Sequence, residues 1–174
     1  MRVLFYMGFF FGILMLVLFQ IHFLDGFESL RFRMNFVLLL TLYSTLALSL
    51  STGLKVSFLA GILLDVFSAL PFGVYTMALC ASNVFTFFLF RRFFVNRSVH
   101  SLSILVTSGT IFFLSIFFTT AWFLHIIGWH QFSFTLGEIF PRFVWQIPLH
   151  TLFAILIFLI LRTFRKQFFF SAHF

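Results

Sequence analysis

Four carboxylates are all that this 174-residue chain offers as general bases or anionic metal ligands: Asp25, Glu28, Asp65 and Glu138. Asp25 and Glu28 share one polar segment, "DGFESLRFR", and Glu138 stands in another. That spacing gives no pair of acids suited to metal-dependent phosphoryl transfer or to paired acid–base work. Asp65 differs, because it interrupts an apolar run, "SFLAGILLDVFSALPFG" (57–73). On a helix, Ser57, Gly61, Asp65 and Ala69 recur every four residues and share one face. Three of them are small, which lets a second helix approach closely. An aspartate at mid-bilayer costs about 2.5–3.5 kcal/mol on insertion scales, so the side chain is expected to face protein or a wet cavity. Three roles fit it: a cap or acceptor for a neighbouring helix, a contact for a partner or ligand, or a step in a proton or ion path. A pump would carry more intramembrane acids than this, which puts the last role behind the other two.

The remaining polar residues offer less chemistry. "WQIPLH" places Gln146, Pro148 and His150 in one apolar run, where proline removes a backbone hydrogen bond and the polar side chains are expected to point inward. They form a possible pocket lining, with a ligand-contacting face opposite Asp65 as the alternative reading. His125 and His130 are five apart, off a common helical face and without an adjacent acid, so no metal site is expected. "MGFFFG" sets Gly8 and Gly12 four apart, a spacing that permits close helix packing within the chain or against a partner. The single cysteine, Cys80, supports neither an intrachain disulfide nor a four-ligand zinc site. HExxH, GxSxG and Walker signatures are absent from the sequence. No catalytic residue, metal or cofactor is expected.

The elements that must position these residues are membrane helices. The chain is 62% hydrophobic and 9% charged, far below the ~25% charge of a soluble domain. A spanning helix takes about 20 apolar residues, so six of them leave no room for a soluble domain. The expectation is an all-α integral membrane protein, a single transmembrane domain over 1–174. Its six spans fall near 3–24, 34–51, 57–70, 74–90, 102–124 and 143–161. The first run is long for a signal peptide and lacks a small-residue cleavage pattern, so it reads as a retained helix. "STGLK" (51–55) reads as a break in which Gly53 ends a helix, and Pro71–Gly73 reads as a turn. The segment 57–70 is short for a crossing, hence tilted or partly re-entrant. Trp122 and Trp129 suit interfacial anchoring, and the 34 phenylalanines read as apolar filler.

The net charge of +7 does not make a nucleic-acid surface, because the basic residues sit at the ends of apolar runs. Arg2, Lys55, Arg91, Arg92, Arg97, Arg162, Arg165 and Lys166 fall on one side of a six-span arrangement. Arg31, Arg33 and Arg142 fall on the other. Eight against three puts both termini in the cytoplasm.

Asn35, then Lys55, then "LAGILLDVFSALPFG" and a span ending in Arg91-Arg92 resemble the MreD family of bacterial rod-shape-determining proteins. Gly61, Asp65, Ser68, Pro71 and Gly73 match that family's G-x-x-x-D-x-x-(S/A)-x-x-P-x-G stretch, and Asn35 its residue near the start of the second helix. The match is concentrated in residues 35–92, and the outer spans fit by hydropathy alone. The resemblance implies a bacterial inner-membrane, non-enzymatic scaffold of the elongation machinery that builds side-wall peptidoglycan. It implies an MreC-like bitopic partner and, through it, actin-like MreB and a SEDS glycosyltransferase with its transpeptidase. It also implies a bundle like the substrate-binding subunit of energy-coupling-factor transporters. The competing function is that of such a subunit, binding a vitamin or a metal.

Overall fold

The computed structural model describes residues 2–24, 34–68, 71–93, 99–128, 144–157 and 159–160. An apolar chain in lipid finds no water for its amides, so backbone groups must pair within each segment. The described residues accordingly form six α-helices. α1 spans Arg2–Phe19 and runs on into a π-helical turn, Gln20–Leu24; α2 spans Phe36–Ala47, α3 Leu50–Phe67, α4 Val74–Phe93, α5 Val99–Ile126 and α6 Val144–Ile157. By length and composition three can cross a membrane: α3, α4 and the His100–Leu124 stretch of α5. The shorter apolar stretches are Phe10–His22, Phe36–Ala47 and Val144–Ile157.

One boundary differs from the sequence expectation. The break between the second and third helices falls at Leu48–Ser49, not at 51–55. Ser49 is the N-cap of α3, its hydroxyl accepting from the Thr52 amide at 3.2 Å, and the Leu48 amide closes α2 on Ser44. The polar "STGLK" residues therefore form the first turns of α3, at the end of the bundle where Lys55 is exposed. Gly53 ends no helix. A Cβ there would collide with the Thr45 side chain, so the glycine lets α2 and α3 cross closely just beyond their two-residue link. The extra turns bring α3 to 18 residues, removing the shortness that had suggested a re-entrant segment.

α3 and α4 pack antiparallel, Asp65 meeting Thr76 and Ser57 meeting Asn83. α4 meets α5 where Ser82 donates to the Gly109 carbonyl (2.8 Å) and where Phe85 stacks on Phe112 (4.2 Å between centroids). α5 meets α6 through the Thr107–Thr151 hydroxyl pair at 2.8 Å. The core draws Ile13 and Val17 from α1, Leu38 and Leu42 from α2, Val56 and Leu64 from α3, and Leu79, Phe113 and Ala154 from α4, α5 and α6. Apolar contact alone sets little register in lipid, where tails are as apolar as leucine; small residues and interhelical hydrogen bonds must do it.

The segments bearing Asp25, Glu28, Arg31 and Arg33 lie outside the described residues. So do Ala69, Arg97, Trp129, His130, Glu138, Pro141, Arg142, Arg162, Arg165 and Lys166, and the side chain of His125.

Candidate functional site

α4 begins badly. Its N-cap position is Gly73, at φ +103°, where the left-handed backbone suits glycine and brings the chain round after Pro71. Glycine has no side chain with which to accept the orphan amides of the first turn. Asp65, in the last turn of α3, supplies the missing acceptor. Its Oδ1 accepts from the Tyr75 amide (2.8 Å), and its Oδ2 accepts from the Thr76 amide (3.1 Å) and the Thr76 hydroxyl (2.6 Å). Those amides occupy the second and third helical positions, the ones an N-cap side chain normally serves. Asp65 thus caps the following helix across a hairpin, where the positive end of the helix dipole favours an anion. It is 3% exposed.

The small residues on its face make this reach possible. A Cβ on Gly61 would lie 2.5 Å from the Thr76 Cα, so α3 and α4 touch backbone to backbone there. One turn earlier, Ser57 Oγ donates to the Gly53 carbonyl (2.7 Å) and accepts from Asn83 Nδ2 (2.6 Å). The other Nδ2 hydrogen goes to the Leu79 carbonyl at 2.9 Å, and Asn83 Oδ1 accepts from Thr45 Oγ1 at 2.6 Å. This buried amide therefore ties α2, α3 and α4 together. Ser57, Gly61 and Asp65 are all buried, and α4 occupies the face they share.

α2 also starts inside protein. Asn35, its N-cap, accepts from the Leu38 amide through Oδ1 at 2.9 Å. The Val37 amide donates to Gln20 Oε1 of the π-helical turn (3.0 Å), and the Asn35 amide donates to His150 Nε2 of α6 (2.9 Å). A ring nitrogen that accepts carries no proton, so His150 is the neutral imidazole with its proton on Nδ1, facing Thr110 Oγ1 at 3.2 Å. His150 meets Asn35 and Thr110; none of its hydrogen bonds runs to Asp65. Gln146, four residues earlier, is buried on the same face, and Pro148 is exposed.

Gly8 and Gly12 are exposed, and nothing lies within 4 Å of a Cβ built on either. α1 turns Ile13 and Val17 inward, leaving Gly8, Gly12, Met15 and Phe19 in an outward row. Among the described residues, no three His, Cys, Asp or Glu side chains gather as a metal-binding group. The sequence reading passed over Asn83, Thr45 and Thr110. Asn83 carried a usable signal, a lone amide in an apolar run, of the kind that drew attention to Asp65.

The family described as rod shape-determining protein MreD matches residues 1–168, nearly the whole chain. No curated protein and no solved structure matches it.

Proposed function

The chain belongs to the MreD family of rod shape-determining proteins, and from that premise we propose that it is a non-enzymatic membrane scaffold of the cell-elongation machinery. It lies in the bacterial cytoplasmic membrane as a six-span bundle with both termini in the cytoplasm. It holds the transmembrane helix of an MreC-like bitopic protein, and through that partner it serves MreB and the SEDS glycosyltransferase–transpeptidase pair.

One observation carries the scaffold reading. The carboxylate best placed to do chemistry gives both its oxygens to the start of α4, as an architectural part would. His150 is likewise engaged at both ring nitrogens. With the Ser57–Gly61–Asp65 face filled by α4, Gly8 and Gly12 are a glycine pair open to a partner helix among the described residues. Gly8, Gly12 and Met15 follow a 4-3 spacing, which presents a stripe to such a helix, while Phe19 beyond them packs against Phe36.

The test is co-purification of the tagged full chain with the MreC-like protein from membranes. Gly8→Leu with Gly12→Leu should cut recovery several-fold while leaving the thermal unfolding of the bundle unchanged. Undiminished recovery would remove α1 from the interface, and failure of the unsubstituted chain to recover the partner would remove the scaffold reading itself. Orientation is tested separately, by cysteines placed at Arg92 and Arg165 in a Cys80→Ser background. An impermeant thiol reagent applied to intact cells should label neither.

A further inference from the structure

The α3–α4 hairpin has two unlike flanks. One is core: Val56, Ala60 and Leu64 of α3 and Ala78, Leu79 and Ser82 of α4 are buried. The other faces outward, with Phe58 exposed on α3 and Met77 and Phe88 exposed on α4. Lys55 and Arg91 stand on this outward flank, and both are exposed. At about 100° per residue, Arg91 lies ~80° round α4 from Asn83, which marks the α3 contact. Arg92 lies ~180° from Asn83 and points away from α3.

The Lys55 and Arg91 charges converge. Counting along the antiparallel helices from the Ser57–Asn83 bond, Lys55 comes level with Phe85, and Ser51 with Leu89. Helical side chains lean toward the N-terminus of their own helix. That lean carries the Lys55 ammonium toward the end of the bundle and brings Arg91 back from it. The Arg91 guanidinium accordingly lies over the Phe87 ring, 5.4 Å from its centroid. The two cations thus approach one level from opposite directions, astride the α3–α4 groove, with exposed Ser51 at that level too. The described carboxylate, Asp65, is ten residues, about 15 Å, further along α3 and is taken up by the start of α4.

We propose that this spot holds the phosphate of an anionic phospholipid, gripped by Lys55 from α3 and Arg91 from α4, with the Ser51 hydroxyl donating beside them. Both helices are long and apolar enough to span a membrane, and the three groups lie near their ends, at headgroup depth. Phe58 and Phe87, deeper on the same flank, meet the acyl chains. The guanidinium fork matches two phosphate oxygens, and the ammonium adds a compact charge. Two cations with no described acid beside them favour a negatively charged headgroup over a zwitterionic one, by about five-fold for each cation.

The full chain is reconstituted in nanodiscs of phosphatidylcholine containing a tenth of phosphatidylglycerol with a photoactivatable group in its acyl chain, close to the ester. Cross-links should concentrate around Phe58 and Phe87. Moving the same photoactivatable chain to phosphatidylcholine should lower the yield there at least five-fold. Lys55→Gln with Arg91→Gln should remove that difference between headgroups. Arg92→Gln, the same loss of charge on a side chain pointing away from α3, should keep it. An equal fall in Arg92→Gln would overturn the site in favour of a diffuse surface potential. Equal yields from the two headgroups on the unsubstituted chain would overturn the anionic assignment, whether or not any variant folds. Carbodiimide coupling of Lys55 to an acidic side chain of another protein in native membranes would overturn the lipid as occupant.

Discussion

Removing the Asp65 carboxylate measures how much a cross-hairpin cap stabilises a membrane bundle. Asp65→Leu deletes the acceptor of the Tyr75 and Thr76 amides and of the Thr76 hydroxyl. The hydroxyl can turn back to a carbonyl of its own helix, but the amides have nowhere to go, because Gly73 offers no side chain and Gly61 holds α3 against Thr76. Leaving a buried donor unpaired costs about 1–3 kcal/mol. Both amides are only part-buried, which favours the lower half of that range, so the pair together comes to about 2–4 kcal/mol. Asp65→Asn keeps one carbonyl oxygen and turns an NH₂ group toward a donor, losing one amide bond and the charge. Its expected cost is about 1–2 kcal/mol, comparable to losing an N-cap.

The assay uses the chain's own reporter. Cys80 lies on α4, half-buried, and is the only cysteine, so a thiol-reactive dye follows unfolding in detergent with no engineered label. The expected order of stability is wild type, then Asn, then Leu, with membrane insertion unchanged because leucine makes the segment more apolar. Adding Thr76→Val to each variant tests the coupling. The double substitution with Asp65→Leu should cost less than the two single changes added together, since both remove the same bond. Equal stability of wild type and Asp65→Leu, within ~0.5 kcal/mol, would refute the capping argument.

Four further outcomes follow from the same geometry. Gly61→Ala should destabilise the bundle by about 1–3 kcal/mol, since its Cβ meets the Thr76 backbone and one of the helices must move. Gly12→Ala, made in open space, should change stability by less than ~0.5 kcal/mol in the same unfolding assay. His150→Phe should free the Asn35 amide, at a cost of about 1–3 kcal/mol. The local signature is faster hydrogen exchange at Asn35, with the Tyr75 and Thr76 amides unaffected. Asn83→Leu breaks bonds to Thr45, Ser57 and the Leu79 carbonyl. At ~0.6 kcal/mol for each of the two interhelical bonds, to Thr45 and Ser57, the loss should be about 1 kcal/mol, read by thermal unfolding.

How far the sequence revealed this arrangement depended on where each signal was carried. The importance of Asp65 was legible because a charge in an apolar run has few tolerable explanations. Its particular role was not, since the amides it serves lie ten and eleven residues on, beyond a turn whose geometry rests on Gly73. Gly53 was misread because a polar pentapeptide with a glycine looks like a break. Only the partner across the gap, Thr45, shows that the missing Cβ serves packing. Asn35 and His150 are separated by 115 residues, and no local pattern announces that a backbone amide of one meets a ring nitrogen of the other. Hydropathy marked the apolar segments, and those the structure describes are helical. It is silent on register, which the polar side chains set.

A common logic connects these contacts. α3 starts at the exposed end of the bundle and caps itself with Ser49. α2 starts within protein and α4 starts part-buried at a hairpin, and both take acceptors from other helices: Asp65 for α4, Gln20 and His150 for α2. An amide in a buried first turn has neither water nor a preceding carbonyl, so whichever helix brings an acceptor is fixed to that spot. Asp65 fixes α3 to α4, Gln20 fixes α1 to α2, and His150 fixes α6 to α2. Each bond works as a register pin where apolar packing alone would let helices slide. α1 is thereby pinned to α2 by Gln20, beside the Phe19–Phe36 contact and with Ile13 and Val17 in the core, while Gly8, Gly12 and Met15 stay outward. A bundle pinned in this way keeps its polar side chains for its own assembly. What it presents to neighbours is shape: an exposed stripe with two glycines on α1.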